Sequence, residues 1–247
     1  MSALHIERRG ALAIIRLAAP RLGLATLEGL VEAVDTLGAD ADIRAVVLGG
    51  GADFAHGMDL LDPALAEAMR RDAGGTVASL GQRLIEDWIR LPMPTIAAAR
   101  GWIVGAGACL FAACDFRFAT PGARVRLPEV ARGMHLSWGI VPRLVGEFGP
   151  GPARWLALTG EALTVEALPD AAVRVTEAPD DDALALAESL AALPPLAVRA
   201  IKAALTEATA TTAAHDVARF SATVQSRDFA EALAAWAERR PGRYEGR

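Results

Sequence analysis

Two short glycine-bearing loops, each placed directly after an apolar run, constrain this chain more than anything else in it. Phe54-Ala55-His56-Gly57-Met58-Asp59-Leu60 follows the run Ala45-Val46-Val47-Leu48. Gly101-Trp102-Ile103-Val104-Gly105-Ala106-Gly107 follows Thr95-Ile96-Ala97-Ala98 and opens into a second apolar run. Short apolar runs bounded by glycine read as buried strands. Glycine in the turn after a strand lets the backbone come close to a ligand and aim N–H groups at it. Two such donors converging on one point form an oxyanion hole, which stabilises a carbonyl oxygen that becomes negative during reaction. A third element, Leu127-Pro128-Glu129-Val130, adds a carboxylate soon after the second loop.

The rest of the first half alternates strand and helix. Leu12–Leu17 reads as a strand, and Thr26–Leu37 carries a helical stripe at Leu27, Leu30, Val31, Val34 and Leu37. Residues Ala64–Arg90 read as helix in two pieces, broken near Gly74-Gly75, with Leu80, Leu84 and Trp88 on one face and Pro92 and Pro94 ending it. Ala106–Ala113 begins a helix buried on most sides, and Phe116–Ala119 is another strand. This alternation argues for an α/β core with a parallel sheet, and leaves open whether the sheet is a spiral or doubly wound. The second half reads as helical: Gly151–Leu158, Val165–Leu168, Asp180–Leu193, Leu196–Ala210 and Ala213–Arg239. We expect a core over residues 1–190 and a helical region over 191–247.

Composition excludes several classes. With 53% hydrophobic residues the chain is globular. A net charge of −5, without a Lys/Arg block, lacks the footprint of a nucleic-acid binder. The first nine residues hold no long apolar segment of the secretory kind, and the longest apolar stretch, Trp102–Cys114, is too short to span a bilayer. Cys109 and Cys114 show no metal-ligand spacing and fit a reducing compartment. The expectation is a cytoplasmic protein with no nucleic-acid or membrane partner and no metal. His5 and His215 belong to no constellation.

The segments Ala45–Gly51 with Asp53–Leu60, Pro94–Gly107 running on through Ala112–Arg117, and Leu127–Val130 with Gly133 and Pro142-Arg143-Leu144 resemble, in order and spacing, three signatures of the crotonase (enoyl-CoA hydratase/isomerase) superfamily. The resemblance covers residues 4–247 and implies a spiral of ββα turns. It also implies C-terminal helices that cover the active site and build a trimer or a pair of trimers. It implies an acyl-CoA thioester substrate and no separate cofactor, because CoA arrives as part of that substrate.

By the same resemblance, the backbone N–H groups of Met58 and Ala106 form the hole, and Met58 is bulky enough to narrow the adjacent pocket. Glu129 corresponds to one of two acid/base glutamates, and its apolar neighbours suit a raised pKa. Gly57, Gly105, His56 and, more remotely, Leu24 correspond to positions touching the CoA thioester; His56 either faces the ligand or is a polar loop residue. The position of the second glutamate carries Cys109, whose thiol in an apolar run stays protonated.

The segment 18–26 lacks the usual Asn-Ala-Leu core and looks shortened, and Asp59 is expected to organise the first loop. His135, Ser137 and Trp138 replace a stretch of small residues. Trp138 either lines the acyl pocket or belongs to the core, and His135 is a candidate second proton carrier or a structural loop residue. Three readings follow. The first is an enzyme that isomerises or hydrates an enoyl-CoA through a single glutamate. The second is a non-catalytic acyl-CoA-binding protein of the same fold. The third is a CoA-thioester hydrolase or lyase with a displaced acid.

Overall fold

A computed structural model describes residues 4–71, 75–132, 134–208 and 226–247. Gly133, His215 and residues 213–225 of the expected helix from Ala213 lie outside those residues.

The main sheet has the order β1-β2-β3-β4-β6-β9. It starts with β1 (Leu4–Arg9), which pairs antiparallel with β2 (Leu12–Leu17) through a tight turn at Gly10, where φ is +59°. From β2 onward the strands are parallel: β3 (Ala45–Gly49), β4 (Thr95–Ala99), β6 (Phe116–Ala119) and β9 (Arg174–Val175). Every residue of β3 and β4 is buried, as expected for parallel strands covered on both faces. Alternate residues serve different cores. Val46, Leu48 and Ala97 face a large core filled by Leu27, Leu30, Leu84, Trp88 and Phe111. Ala45, Val47, Ile96 and Ala98 face a smaller one closed by Ala183 and Ala187.

The helices follow from where apolar residues fall. Helix α1 (Leu24–Ala39) starts two residues before its periodic stripe, because Asp62 Oδ2 accepts a hydrogen bond from the Leu24 N–H at 2.7 Å. Helices α2 (Pro63–Arg71) and α3 (Gly75–Arg90) are the two expected pieces of one helical stretch. Helix α4 (Ala106–Ala113) is buried at all eight positions. Helices α5 (Ile140–Phe148) and α6 (Pro150–Thr159) follow, then α7 (Pro179–Ala191), which covers the smaller core. Helix α8 (Pro195–Glu207) is pinned by Lys202, whose buried ammonium donates to the Met93 carbonyl and pairs with Asp115, both at 2.7 Å. Helix α9 is Arg227–Glu238.

A second sheet, absent from the sequence-based expectation, joins β5 (Trp102–Val104), β7 (Arg124–Arg126) and β8 (Leu163–Thr164). The chain therefore leaves β4 for β5 and then α4, and leaves β6 for β7 and then α5. Ala55 forms an isolated bridge to Ile103, so the exit from β3 repeats the path before α2. This repetition selects the ββα spiral over the doubly wound sheet. The Val165–Leu168 helix of the sequence reading is a single 3-10 turn, Val165–Ala167.

Candidate active site

The exit from β3 is fastened to the exit from β4 by a ladder of backbone bonds. Phe54 N–H donates to the Arg100 carbonyl at 2.9 Å, Ala55 N–H to Trp102 at 3.1 Å, and Val104 N–H to Ala55 at 2.8 Å. Asp53 locks this ladder: its Oδ1 accepts the Trp102 N–H, and its Oδ2 pairs with His56 Nε2, each at 2.8 Å. Asp53 is a site residue that the sequence reading does not single out; the available signal is its place one residue after Gly49-Gly50-Gly51 and three residues before His56.

Met58 is oriented by its neighbours. Leu22 N–H donates to the Gly57 carbonyl and the Leu22 carbonyl accepts the Asp59 N–H, both at 2.9 Å. In such a parallel bridge the central residue's own N–H points away from the bridging strand, which leaves the Met58 N–H directed to the opposite side. Asp59 organises the loop by accepting the Leu61 N–H at 3.2 Å.

Ala106 is the first residue of α4, so its N–H lies outside the helix's own hydrogen-bond ladder. Gly57 (φ +82°) and Gly105 (φ +54°) adopt backbone conformations that side chains disfavour, and the two touch. A methyl group on Gly57 would stand 3.6 Å from the Ala106 nitrogen. One on Gly105 would stand 3.6 Å from Gly57 Cα and 3.1 Å from Glu129 Oε1. Loops 48 residues apart in sequence thus meet beside one carboxylate. Glu129 itself follows buried Leu127 and Pro128 at the end of β7 and is half-buried.

These groups line one cavity of about 310 Å³. His56, Gly57, Met58, Gly105, Ala106, Cys109 and Glu129 line it together with apolar Leu65, Met69, Val77, Leu136 and Trp138 and with His135 and Ser137. A neighbouring depression of about 370 Å³ shares His56, Met58, Leu60 and Pro128, and carries Arg21, Trp102 and Arg126. Leu24 lines neither; it packs half-buried against the large core, so the structure does not bring it to the other candidates. His135 sits exposed at the cavity edge, whereas Trp138 is buried and lines the cavity, so the two roles open for Trp138 coincide. Among the described residues, no cluster of His, Cys, Asp or Glu has the makings of a metal site, and no single helix is long and apolar enough to cross a membrane.

Burial pushes the Cys109 thiol well above its ordinary pKa, and the charge of Glu129 adds to the effect. Burial likewise pushes Cys114 up to about 12. Both thiols are therefore neutral at neutral pH. We expect iodoacetamide to leave both cysteines unmodified in the folded protein and to alkylate both in urea, as read by mass spectrometry.

The contact between the loops also makes a stability prediction. A methyl on Gly107 would lie 2.5 Å from Ala55 Cβ and 3.2 Å from the Ala55 carbonyl oxygen. Gly107→Ala should cost about 1–3 kcal/mol through overpacking, seen as a lower urea midpoint, and should separate the two loops.

Comparison with known proteins agrees with this geometry. The profile of the family described as enoyl-CoA hydratase/isomerase matches residues 7–247. The 2,3-dehydroadipyl-CoA hydratase of Escherichia coli is 31% identical over 98% of this chain and 94% of its own length. The crystal structure of an enoyl-CoA hydratase from Bacillus anthracis superposes with a TM-score of 0.90 at 26% identity, covering 99% of this chain and all of that one. An enoyl-CoA hydratase from Mycobacterium tuberculosis superposes with a TM-score of 0.87 at 30% identity over the whole of both chains. With three ordered signatures, a shared α/β fold and a cavity where they converge, the chain belongs to the enoyl-CoA hydratase/isomerase family of the crotonase superfamily, enzymes of the lyase and isomerase type.

Proposed function

We propose that this protein shifts the double bond of an enoyl-CoA thioester, with Glu129 as the single proton carrier and the Met58 and Ala106 N–H groups as the oxyanion hole. The observation that carries this reading is the pairing of Glu129 with Cys109 in one cavity. The hydration route that uses two carboxylates needs one to orient water and another to deliver a proton. A buried, neutral thiol at Cys109 supplies neither. A single carboxylate is sufficient for isomerisation.

On this reading the thioester carbonyl oxygen sits between the Met58 and Ala106 donors. The Glu129 carboxylate takes a proton from Cα of a 3-enoyl ester. The C–H electron pair moves into the conjugated system, and the negative charge collects on the oxygen in the hole. Glu129, now a carboxylic acid, returns the proton at Cγ, leaving the 2-enoyl ester and a carboxylate. No residue is left altered and no co-reactant is consumed. The CoA portion extends along the neighbouring depression past Arg21 and Arg126, whose charges suit its phosphates. The same reading makes the protein a cytoplasmic trimer or pair of trimers assembled through its C-terminal helices.

Hydration is the second reading, supported by the similarity to proteins described as hydratases. A spectroscopic assay separates the two. Isomerisation of a 3-enoyl-CoA without hydration of a 2-enoyl-CoA supports the single-glutamate reading. Hydration of the 2-enoyl ester overturns it and requires another acid, for which His56 and His135 are the cavity's candidates. Binding without turnover of either ester points to an acyl-CoA-binding protein or to hydrolysis, for which free CoA release is the readout.

A further inference from the structure

Trp138 occupies a backbone conformation that a bulky residue avoids. Its φ is +65°, and Gly139 after it is also at +65°. An outlier of this kind persists only where its surroundings impose it. What imposes it is a slot on α3: a methyl group on Gly81 would lie 1.9 Å from Trp138 Cε2 and 2.0 Å from Nε1, so only a hydrogen fits beneath the indole. The indole is buried, with 6% of its residue surface exposed.

The segment His135–Trp138 has a cavity on each side. One is the cavity of about 310 Å³ that holds Glu129. The other is a depression of about 380 Å³ between α3 and the first turn of α5. Both are lined by Ala78, Leu136 and Trp138, so this segment is the partition between them, and the indole is its bulkiest part. The cavity that holds Glu129 is also lined by apolar Leu65, Met69 and Val77, while His135 and Ser137 are the polar members of the partition.

We propose that Trp138, seated over Gly81, is the wall that ends the acyl site and restricts the protein to short acyl groups. This rests on the acyl-CoA reading above. A chain whose thioester reaches Met58 and Ala106 meets the indole after few carbons. Removing the indole joins the cavity to the depression behind it and gives a longer chain a way through.

The test is binding of saturated butanoyl-CoA, octanoyl-CoA and dodecanoyl-CoA by calorimetry. Trp138→Gly is the principal variant, since glycine accepts a φ of +65° without strain. The native protein should bind butanoyl-CoA ~10-fold more tightly than dodecanoyl-CoA, a gap of the size that pocket shape supplies. Trp138→Gly should abolish or reverse that gap, and Trp138→Phe, which keeps a ring in the slot, should retain part of it. Equal native affinity for all three esters overturns the proposal. So does an unchanged length preference in a Trp138→Gly protein that still binds butanoyl-CoA. Failure of the native protein to bind any of the three overturns the acyl-CoA reading itself, and the wall with it.

Discussion

Glu129→Gln should lower kcat by about 10³-fold, within the range for loss of a general acid–base group, while KM for the enoyl-CoA stays near its native value. Glutamine has the shape of glutamate and can still hydrogen-bond, but it carries no transferable proton at neutral pH. The carboxylate it replaces lies beside Gly105, where a methyl group would stand 3.1 Å from Oε1, and beside the cavity that also holds Cys109. Loss confined to kcat marks a group that acts in the transition state, whereas an equal rise in KM would mark a binding residue. Melting temperature supplies the control: the substitution is isosteric and should leave it within a few degrees of native.

Ala106→Pro should lower kcat by ~10²–10³-fold, the usual consequence of deleting one oxyanion donor, with little loss of stability. The separation of these effects comes from the position of Ala106. It opens α4, where the N–H has no intrahelical acceptor and the fixed φ of proline suits the helix. The preceding residue is Gly105, which has no Cβ to meet the proline ring. The substitution therefore removes the donor and keeps the helix. Thermal unfolding near the native temperature with turnover reduced by this factor is the expected pair of results. Native turnover in a folded Ala106→Pro protein would show that the Ala106 N–H does not hold the thioester oxygen.

Much of the main sheet was legible because its strands are long enough, or apolar enough, to declare themselves. Leu12–Leu17, Phe116–Ala119 and the helix Ala106–Ala113 lie where the pattern put them. β1 was missed because it is an edge strand. Only Leu4 is buried, and Glu7, Arg8 and Arg9 face solvent. β5 and β7 were missed because three residues are too few to show a period, and two of the three in β7 are arginines. Helix α5 was hidden by Pro142 and Gly146 within it. Its Pro142 is tolerated because it falls in the first turn, and Ile140, Leu144 and Phe148 form its buried stripe.

The candidate site divides the same way. The glycines of the two loops and Glu129 could be read in order along the chain, because each carries a local backbone or chemical signal. The contact between Gly57 and Gly105, the clamp that Asp53 makes on Trp102, and the Gly81 slot under Trp138 join distant segments, and no local pattern encodes them. The family resemblance puts Leu24 in a contact loop over residues 18–26, and the helical stripe of α1 begins only at Thr26. The Asp62 carboxylate, 38 residues downstream, draws Leu24 into the first turn of that helix instead.

On the proposed mechanism, Glu129 moves a proton at the carbon beside a thioester held by Met58 and Ala106. The most direct measurement is exchange of the α-protons of a saturated acyl-CoA in deuterated water, followed by NMR, because it needs proton transfer and enolate stabilisation but neither hydration nor a double bond. The native protein should exchange the α-protons, and Glu129→Gln should bind the same ester and exchange none. Exchange at the native rate in Glu129→Gln would contradict the account and assign the proton transfer to another group in the cavity.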